Sequence, residues 1–313
     1  MRRLLLDTDI GSDCDDALAL GVALAEPDTL ELVAVTTGSA RSDRRAEIVA
    51  SLLHLAQRRD VDVCIGARGG LARGENRYNW FGHEDDCVLA EQVAISDEPA
   101  AERIVRAARE CEGLEVVMIG PMTNLAEALA LDPGLPRRLG GVTIMGGHVR
   151  EARIGRFVAP HGIDYNLCSD PEASVAVLGA GFRTTLVTAD VTLATWLRRQ
   201  DLDCMHAAGP LARELARQVE FWAPLQRKLF TAAGGDLAPD NVAFLHDPLT
   251  LLSLVDTSSL EFEDLVILPT IEGGVLRTIE ARRDWGVGAE MRVATGVDPD
   301  RARIQILERL LQA

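Results

Sequence analysis

Several things are scarce or missing in this 313-residue chain, and each narrows what it can be. Positive charge is short: 32 Lys and Arg against 48 Asp and Glu leave a formal net charge of −16. A polyphosphate or anionic-lipid partner needs a basic face, so the balance argues against nucleic-acid and membrane-surface binding. No apolar run is long enough to span a bilayer. The opening MRRLLLDTD has only three apolar residues before its first Asp, too few for a signal peptide. The six cysteines (Cys14, Cys64, Cys87, Cys111, Cys168 and Cys204) are scattered and include no CxxC pair. They read as reduced thiols, not as a disulfide framework or a zinc site, and a cytoplasmic location is expected. There is no Pro/Ser-rich linker, no long charge block and no repeat, so one domain over residues 1–313 is expected.

What is present is a 47% hydrophobic chain, enough to bury a large core. Short β-branched and apolar runs at Leu4–Asp7, Leu30–Thr37, Val61–Gly66, Leu114–Gly120, Gly141–Met145 and Thr184–Ala189 read as strands. Amphipathic stretches such as Ala46–Gln57, Pro99–Cys111 and Pro171–Leu178 lie between them. This alternation predicts an α/β fold with a mostly parallel central sheet flanked by helices on both faces. A few extra strands are expected near the C-terminus (Leu265–Leu268, Val275–Ala281, Met291–Thr295), followed by a helix over Pro299–Leu311. In such sheets ligands sit beyond the carboxyl ends of the strands, so polar residues following each apolar run are the ones to inspect. Residues 68–96 read as a long loop, where Tyr78, Trp80, Phe81 and His83 form either a stacking rim or an ordinary loop cluster. The stripe Leu211, Leu215, Val219, Trp222, Leu225 and Leu229 reads as the core face of a helix whose end caps a site.

The strongest local feature is LLLDTDIGSDCDDALAL, which puts Asp7, Asp9, Asp13, Asp15 and Asp16 directly after a buried-looking strand. Packed carboxylates repel one another unless a cation is shared, and an all-oxygen set selects a hard ion such as calcium or magnesium. The plainer reading is a helix N-cap among solvated acids. Far downstream, His246 and Asp247 stand together before Pro248, as a cap or as a proton donor with a further metal ligand.

Taken in order, these motifs resemble the inosine–uridine-preferring nucleoside hydrolase family. The resemblance covers nearly the whole chain: Asp7-Thr8-Asp9-Ile10-Gly11 with Asp15-Asp16-Ala17, Gly120-Pro121-Met122-Thr123-Asn124, Met145-Gly146-Gly147, Asp164-Tyr165-Asn166, Asp190-Val191-Thr192 and His246-Asp247-Pro248. It implies a calcium-dependent N-ribohydrolase acting on a small nucleoside-like substrate, and a homo-oligomer, dimer or tetramer. It further implies that Asp9 is the general base toward a calcium-held water and itself a calcium ligand. Asp16, Asp247 and the backbone carbonyl of Thr123 complete the calcium set. Asp15 and Asn166 hold ribose hydroxyls, Met145 packs on the sugar, Asp164 contacts a further hydroxyl and His246 faces the leaving base. Asp7 orients the loop.

Three positions depart from the family pattern. Ser12, Asp13 and Cys14 lengthen the turn after Gly11; Thr36-Thr37-Gly38-Ser39 lacks the usual Asn; and residues 149–163 contain no Asn for the sugar 5′ end. Asp164 stands where the family has Glu. Arginines 41, 44, 45, 150, 153 and 156 read either as a 5′-phosphate site or as solvated surface. A modified nucleoside or a nucleoside 5′-monophosphate therefore stays open as substrate. So do a non-catalytic ribose-binding protein and a haloacid-dehalogenase-type phosphohydrolase, which also opens on Asp-x-Asp.

Overall fold

A computed structural model describes residues 1–71, 82–154, 157–159 and 164–313. Its strands are β1 (Arg2–Thr8), β2 (Leu30–Thr37), β3 (Asp62–Ile65), β4 (Glu115–Met118), β5 (Gly141–Met145), β6 (Ala152–Ile154) and β7 (Phe157–Ala159). They continue with β8 (Thr184–Val187), β9 (Trp196–Arg198), β10 (Asn241–Phe244), β11 (Leu260–Glu272), β12 (Val275–Ala281) and β13 (Ala289–Val297). Among the described residues nine of them form one sheet in the order β12-β11-β13-β8-β5-β4-β1-β2-β3. From β13 to β3 every neighbour pairs in parallel. Only β11 runs antiparallel, to both β12 and β13.

The parallel strands are near-continuous apolar runs because both faces are covered. Side chains alternate along β1, so Leu4 and Leu6 enter one core while Leu5 enters the other. On β4, Val117 joins the first core, and Val116 and Met118 join the second. The first core is completed by helices Asp15–Leu24, Ser42–Leu55, Pro210–Ala232 and His246–Val255. The second is completed by Ala100–Glu110, Thr123–Leu131 and Pro171–Gly179. Each fully buried Leu contributes about 1.5–3 kcal/mol.

The six strands and the C-terminal elements read from the sequence are all present, with the last helix at Pro299–Gln312. Two small ribbons were not anticipated, β9 with β10 and β6 with β7. Their strands of three or four residues are too short to carry a period. Among the described residues no helix is long and apolar enough to cross a membrane.

The strand order places the site. From β1 the chain winds outward to β2 and β3 on one side, then returns to β4, β5 and β8 on the other. The order reverses at β1, so a crevice opens beyond its carboxyl end. That is where the aspartate-rich turn begins.

Candidate active site

After Thr8 the chain makes a tight turn before the helix Asp15–Leu24. Gly11 sits at φ +97°, and a Cβ there would lie 2.7 Å from Glu84 and 2.8 Å from Ile48, so the turn requires glycine. The helix starts at Asp15 and Asp16, whose charge its N-terminal dipole partly offsets. Ligand atoms of Asp13, Asp15 and Asp16 all lie within 4.8 Å of one another. The Thr8 hydroxyl donates to Asp16, and the Ser12 hydroxyl donates to Asp9 Oδ2 at 3.2 Å. Asp247 arrives on the helix following β10, and its backbone N–H donates to Asp15 Oδ2 at 3.3 Å. Burial pushes Asp13, Asp15, Asp16 and Asp247 well above the ordinary carboxylate range, and their mutual charges add to it. Asp9 is also raised by burial, against the opposing pull of Arg45.

Beneath the turn, Asp7 is fully buried and accepts hydrogen bonds from Thr36 Oγ1 at 2.5 Å and Asn124 Nδ2 at 2.7 Å. Asn124 also donates to the Thr37 carbonyl and accepts from Ala67 N–H. Burial pushes Asp7 up to about 7.

One cavity collects eight of the nine residues singled out in the sequence: Asp9, Asp15, Asp16, Met145, Asp164, Asn166, His246 and Asp247. Thr123 is not among its lining residues; it is buried, and its hydroxyl donates to Asp170 Oδ2 at 2.7 Å. Asn166 spends its amide nitrogen on the Ile119 and Met145 carbonyls, at 2.9 and 3.2 Å, which leaves its Oδ1 as an acceptor. Asp164 caps its own helix by accepting from Leu167 N–H at 2.9 Å, and burial pushes it up to about 6. His246 Nδ1 lies 2.6 Å from Thr192 Oγ1, and burial pushes the ring down to about 4. The imidazole is therefore neutral at neutral pH.

The cavity is also lined by Trp222, Gln226, Phe230 and Phe244, and the Phe230 and Phe244 ring centroids lie 5.0 Å apart. Gln226 is committed, donating to Asn241 Oδ1 and accepting from Phe244 N–H. Trp222, assigned to the core by its helical spacing, is buried and also lines the cavity. The helix turns one face to the core while successive turns of its edge (222, 226, 230) reach the site.

The arginines resolve unevenly. Arg41 pairs with Asp85, Arg44 with Glu47, Arg150 with Glu263 and Arg153 with Glu151, all away from the cavity. Arg45 is not solvated surface. It is 3% exposed, with NH1 3.5 Å from Asp9 Oδ2 and NH2 3.2 Å from Glu84 Oε1. His83 is also buried; its centroid lies 6.0 Å from that of Trp222, and among the described residues neither ring nitrogen has a hydrogen-bond partner. Tyr78, Trp80, Phe81, Arg156 and His161 lie outside the described residues. Ser12, Arg45, Glu84 and the aromatic wall were missed from sequence, because only the packing sets them beside the aspartates.

A hard divalent cation suits this donor set. All candidate ligands are oxygens, and Asp247 Oδ1 is buried without a partner. In the protein alone the carboxylates are driven toward their protonated forms, the cost a cation would relieve.

A crevice lined by packed carboxylates lies at the switch point of this sheet, and the relatives of the chain are N-glycosyl hydrolases that act on ribonucleosides. The chain belongs to the inosine-uridine preferring nucleoside hydrolase family, whose sequence model matches residues 4–303. It is 30% identical over 259 residues to the pyrimidine-specific ribonucleoside hydrolase RihA of Enterobacter sp. (strain 638), covering 80% of this chain and 78% of that one. It is 25% identical to the probable uridine nucleosidase 2 of Arabidopsis thaliana, over 100% and 98% of the two chains. A solved plant nucleoside hydrolase, PpNRh1, superposes with a TM-score of 0.84 at 25% identity, covering 99% of each chain. This membership sets aside the haloacid-dehalogenase-type reading.

Proposed function

We propose that this chain hydrolyses the N-glycosidic bond of a free ribonucleoside, releasing base and ribose, with calcium held in the carboxylate cluster. One observation carries the reading: a single cavity is lined both by six carboxylates (Asp9, Asp13, Asp15, Asp16, Asp164 and Asp247) and by the aromatic side chains of Tyr165, Trp222, Phe230 and Phe244. That pairing suits a nucleoside, with the sugar among acceptors and the base against ring faces.

Asp9, Asp16, Asp247 and the Thr123 carbonyl hold the ion. A bound calcium would make a water held there easier to deprotonate. Asp9 takes the water's proton, a contribution of about 10²–10⁴-fold. Asp15 and Asn166 Oδ1 accept from the 2′- and 3′-hydroxyls and hold the anomeric carbon in line, an orientation effect. Met145 packs on the sugar. As the bond breaks, positive charge spreads over the ring, and the surrounding carboxylates stabilise it. His246 Nδ1 is held 2.6 Å from Thr192 Oγ1, and the tautomer with its proton on Nε2 would make that nitrogen a neutral donor toward the leaving base.

Among the described lining residues there is no Lys or Arg, which favours a 5′-hydroxyl over a 5′-phosphate. The test is release of ribose from uridine, cytidine, inosine and adenosine, and from their 5′-monophosphates, with calcium or with EDTA. Calcium-dependent release from free nucleosides is expected. Tight nucleoside binding without release would make this a binding protein, and release from monophosphates alone would reverse the 5′ assignment. The resemblance also leads us to propose a dimer or tetramer, which light scattering reads directly.

A further inference from the structure

The geometry points to Arg45 as a positioning residue that fixes the Asp9 carboxylate and ties it to the segment 82–87 through a buried ion pair with Glu84. The inference rests on the role proposed for Asp9.

Arg45 sits in the first turn of the helix Ser42–Leu55, beneath the aspartate turn. A cation this buried is costly unless its charge and N–H groups are met. Here NH1 reaches Asp9 Oδ2 at 3.5 Å and the Ile10 carbonyl at 3.4 Å, while NH2 reaches Glu84 at 3.2 Å. Ser12 bonds the same oxygen of Asp9. The Ser12 hydrogen bond and the Arg45 ion pair both fall on Oδ2, which fixes the carboxylate's orientation and leaves Oδ1 for chemistry.

Glu84 is 5% exposed and belongs to a segment pressed directly onto the turn. His83 N–H donates to the Gly11 carbonyl at 2.8 Å. A Cβ on Gly82 would lie 2.3 Å from Glu84 Oε2 and 2.4 Å from the Gly11 carbonyl oxygen, so glycine permits the contact. Arg45 does not line the cavity and Asp9 does. An effect of Arg45 on turnover is therefore indirect, through the cavity residues its charge reaches, of which Asp9 is the one in an ion pair with it.

A purely structural ion pair makes a different prediction from a positioning one. Displacing a reacting group by about 1 Å costs on the order of 10²-fold in rate. Arg45→Lys keeps the charge but not the two-armed reach, and Glu84→Gln keeps the shape but not the counter-charge. Both variants are compared with the parent by thermal melting in EDTA, calorimetric titration with calcium, and steady-state kinetics on uridine and inosine. Expected are melting midpoints within a few degrees of the parent, kcat at least about tenfold lower with KM changed less than about threefold, and severalfold weaker calcium binding. Arg45→Met is expected to lose more; if it does not fold, the two conservative variants carry the test.

Kcat within twofold of the parent in both folded variants would overturn the proposal. So would a kcat loss equal to the loss of folded protein, or calcium binding that tightens, which would mean Arg45 merely opposes the ion. If the parent releases no ribose, the proposed function fails separately. The calcium titration then still decides Arg45: weaker binding supports it, and unchanged or tighter binding overturns it.

Discussion

Asp13 gives the sharpest test of the idea that these carboxylates are arranged for a cation. Its ligand atom lies within 4.8 Å of those of Asp15 and Asp16. At an effective dielectric near 20, two like charges at that distance repel by about 3.5 kcal/mol, and Asp13 has two such neighbours. Asp13 is only half-buried, so screening by solvent cuts the total to roughly 2–4 kcal/mol. Asp13→Asn removes the charge and keeps the oxygen that accepts from Asp15 N–H. In EDTA at pH 8 the variant should therefore be more stable than the parent. A chain of 313 residues shifts by about 1.5 °C per kcal/mol, so the midpoint should rise by about 3–6 °C. The sign also depends on pH. A carboxyl whose folded pKa is raised destabilises the fold fully at pH values above that pKa, and the penalty shrinks as pH falls below it until it is gone below the ordinary value of 3.8. The advantage should fade on acidification. In saturating calcium it should shrink or reverse, since the cation already offsets the repulsion. Scanning calorimetry of both proteins in EDTA and in calcium reads all of this. A lower midpoint for the variant in EDTA, or an equal shift with and without calcium, would refute the reasoning.

Other perturbations separate the scaffold from the site. Asn124→Ala removes hydrogen bonds to Asp7, the Thr37 carbonyl and Ala67 N–H, so urea unfolding should show a loss of roughly 3–4 kcal/mol. A loss under 1 kcal/mol would mean that water replaces the amide. His83 is pushed down to about 4 by burial, whereas the unfolded chain takes up its proton near 6.5. Stability should therefore fall by up to about 3.4 kcal/mol from this group as pH drops between those values, and His83→Leu should flatten that slope. Replacing ribonucleosides by 2′-deoxyribonucleosides should lower kcat/KM by roughly 10⁴-fold, because the acceptor that Asp15 and Asn166 offer to the 2′-hydroxyl would lose its partner; equal values would remove that contact from the sugar site.

The parts of the molecule legible in sequence are those where one local rule acts alone. β1, β4 and β5 could be read because strands buried on both faces are unbroken apolar runs. The aspartate turn was legible because five acids in ten residues have few uses. Arg45 was not, since an arginine among other charged residues looks solvated until the fold buries it. Trp222 was read as core because a helical stripe does not say which of its residues also meets a cavity. The β9–β10 ribbon pairs residues some forty positions apart, and nothing in either short segment announces the other.

The hydrogen bond from Asp247 N–H to Asp15 spans 232 residues of chain, and it carries a consequence for synthesis. At about 5–20 residues per second, a ribosome needs roughly 10–50 s to travel from one partner to the other. During that interval the emerging protein holds its N-terminal aspartates without their last companion. Whatever forms around β1 in that interval does so without Asp247, so the carboxylate set proposed to hold a cation is complete only once residue 247 has been made.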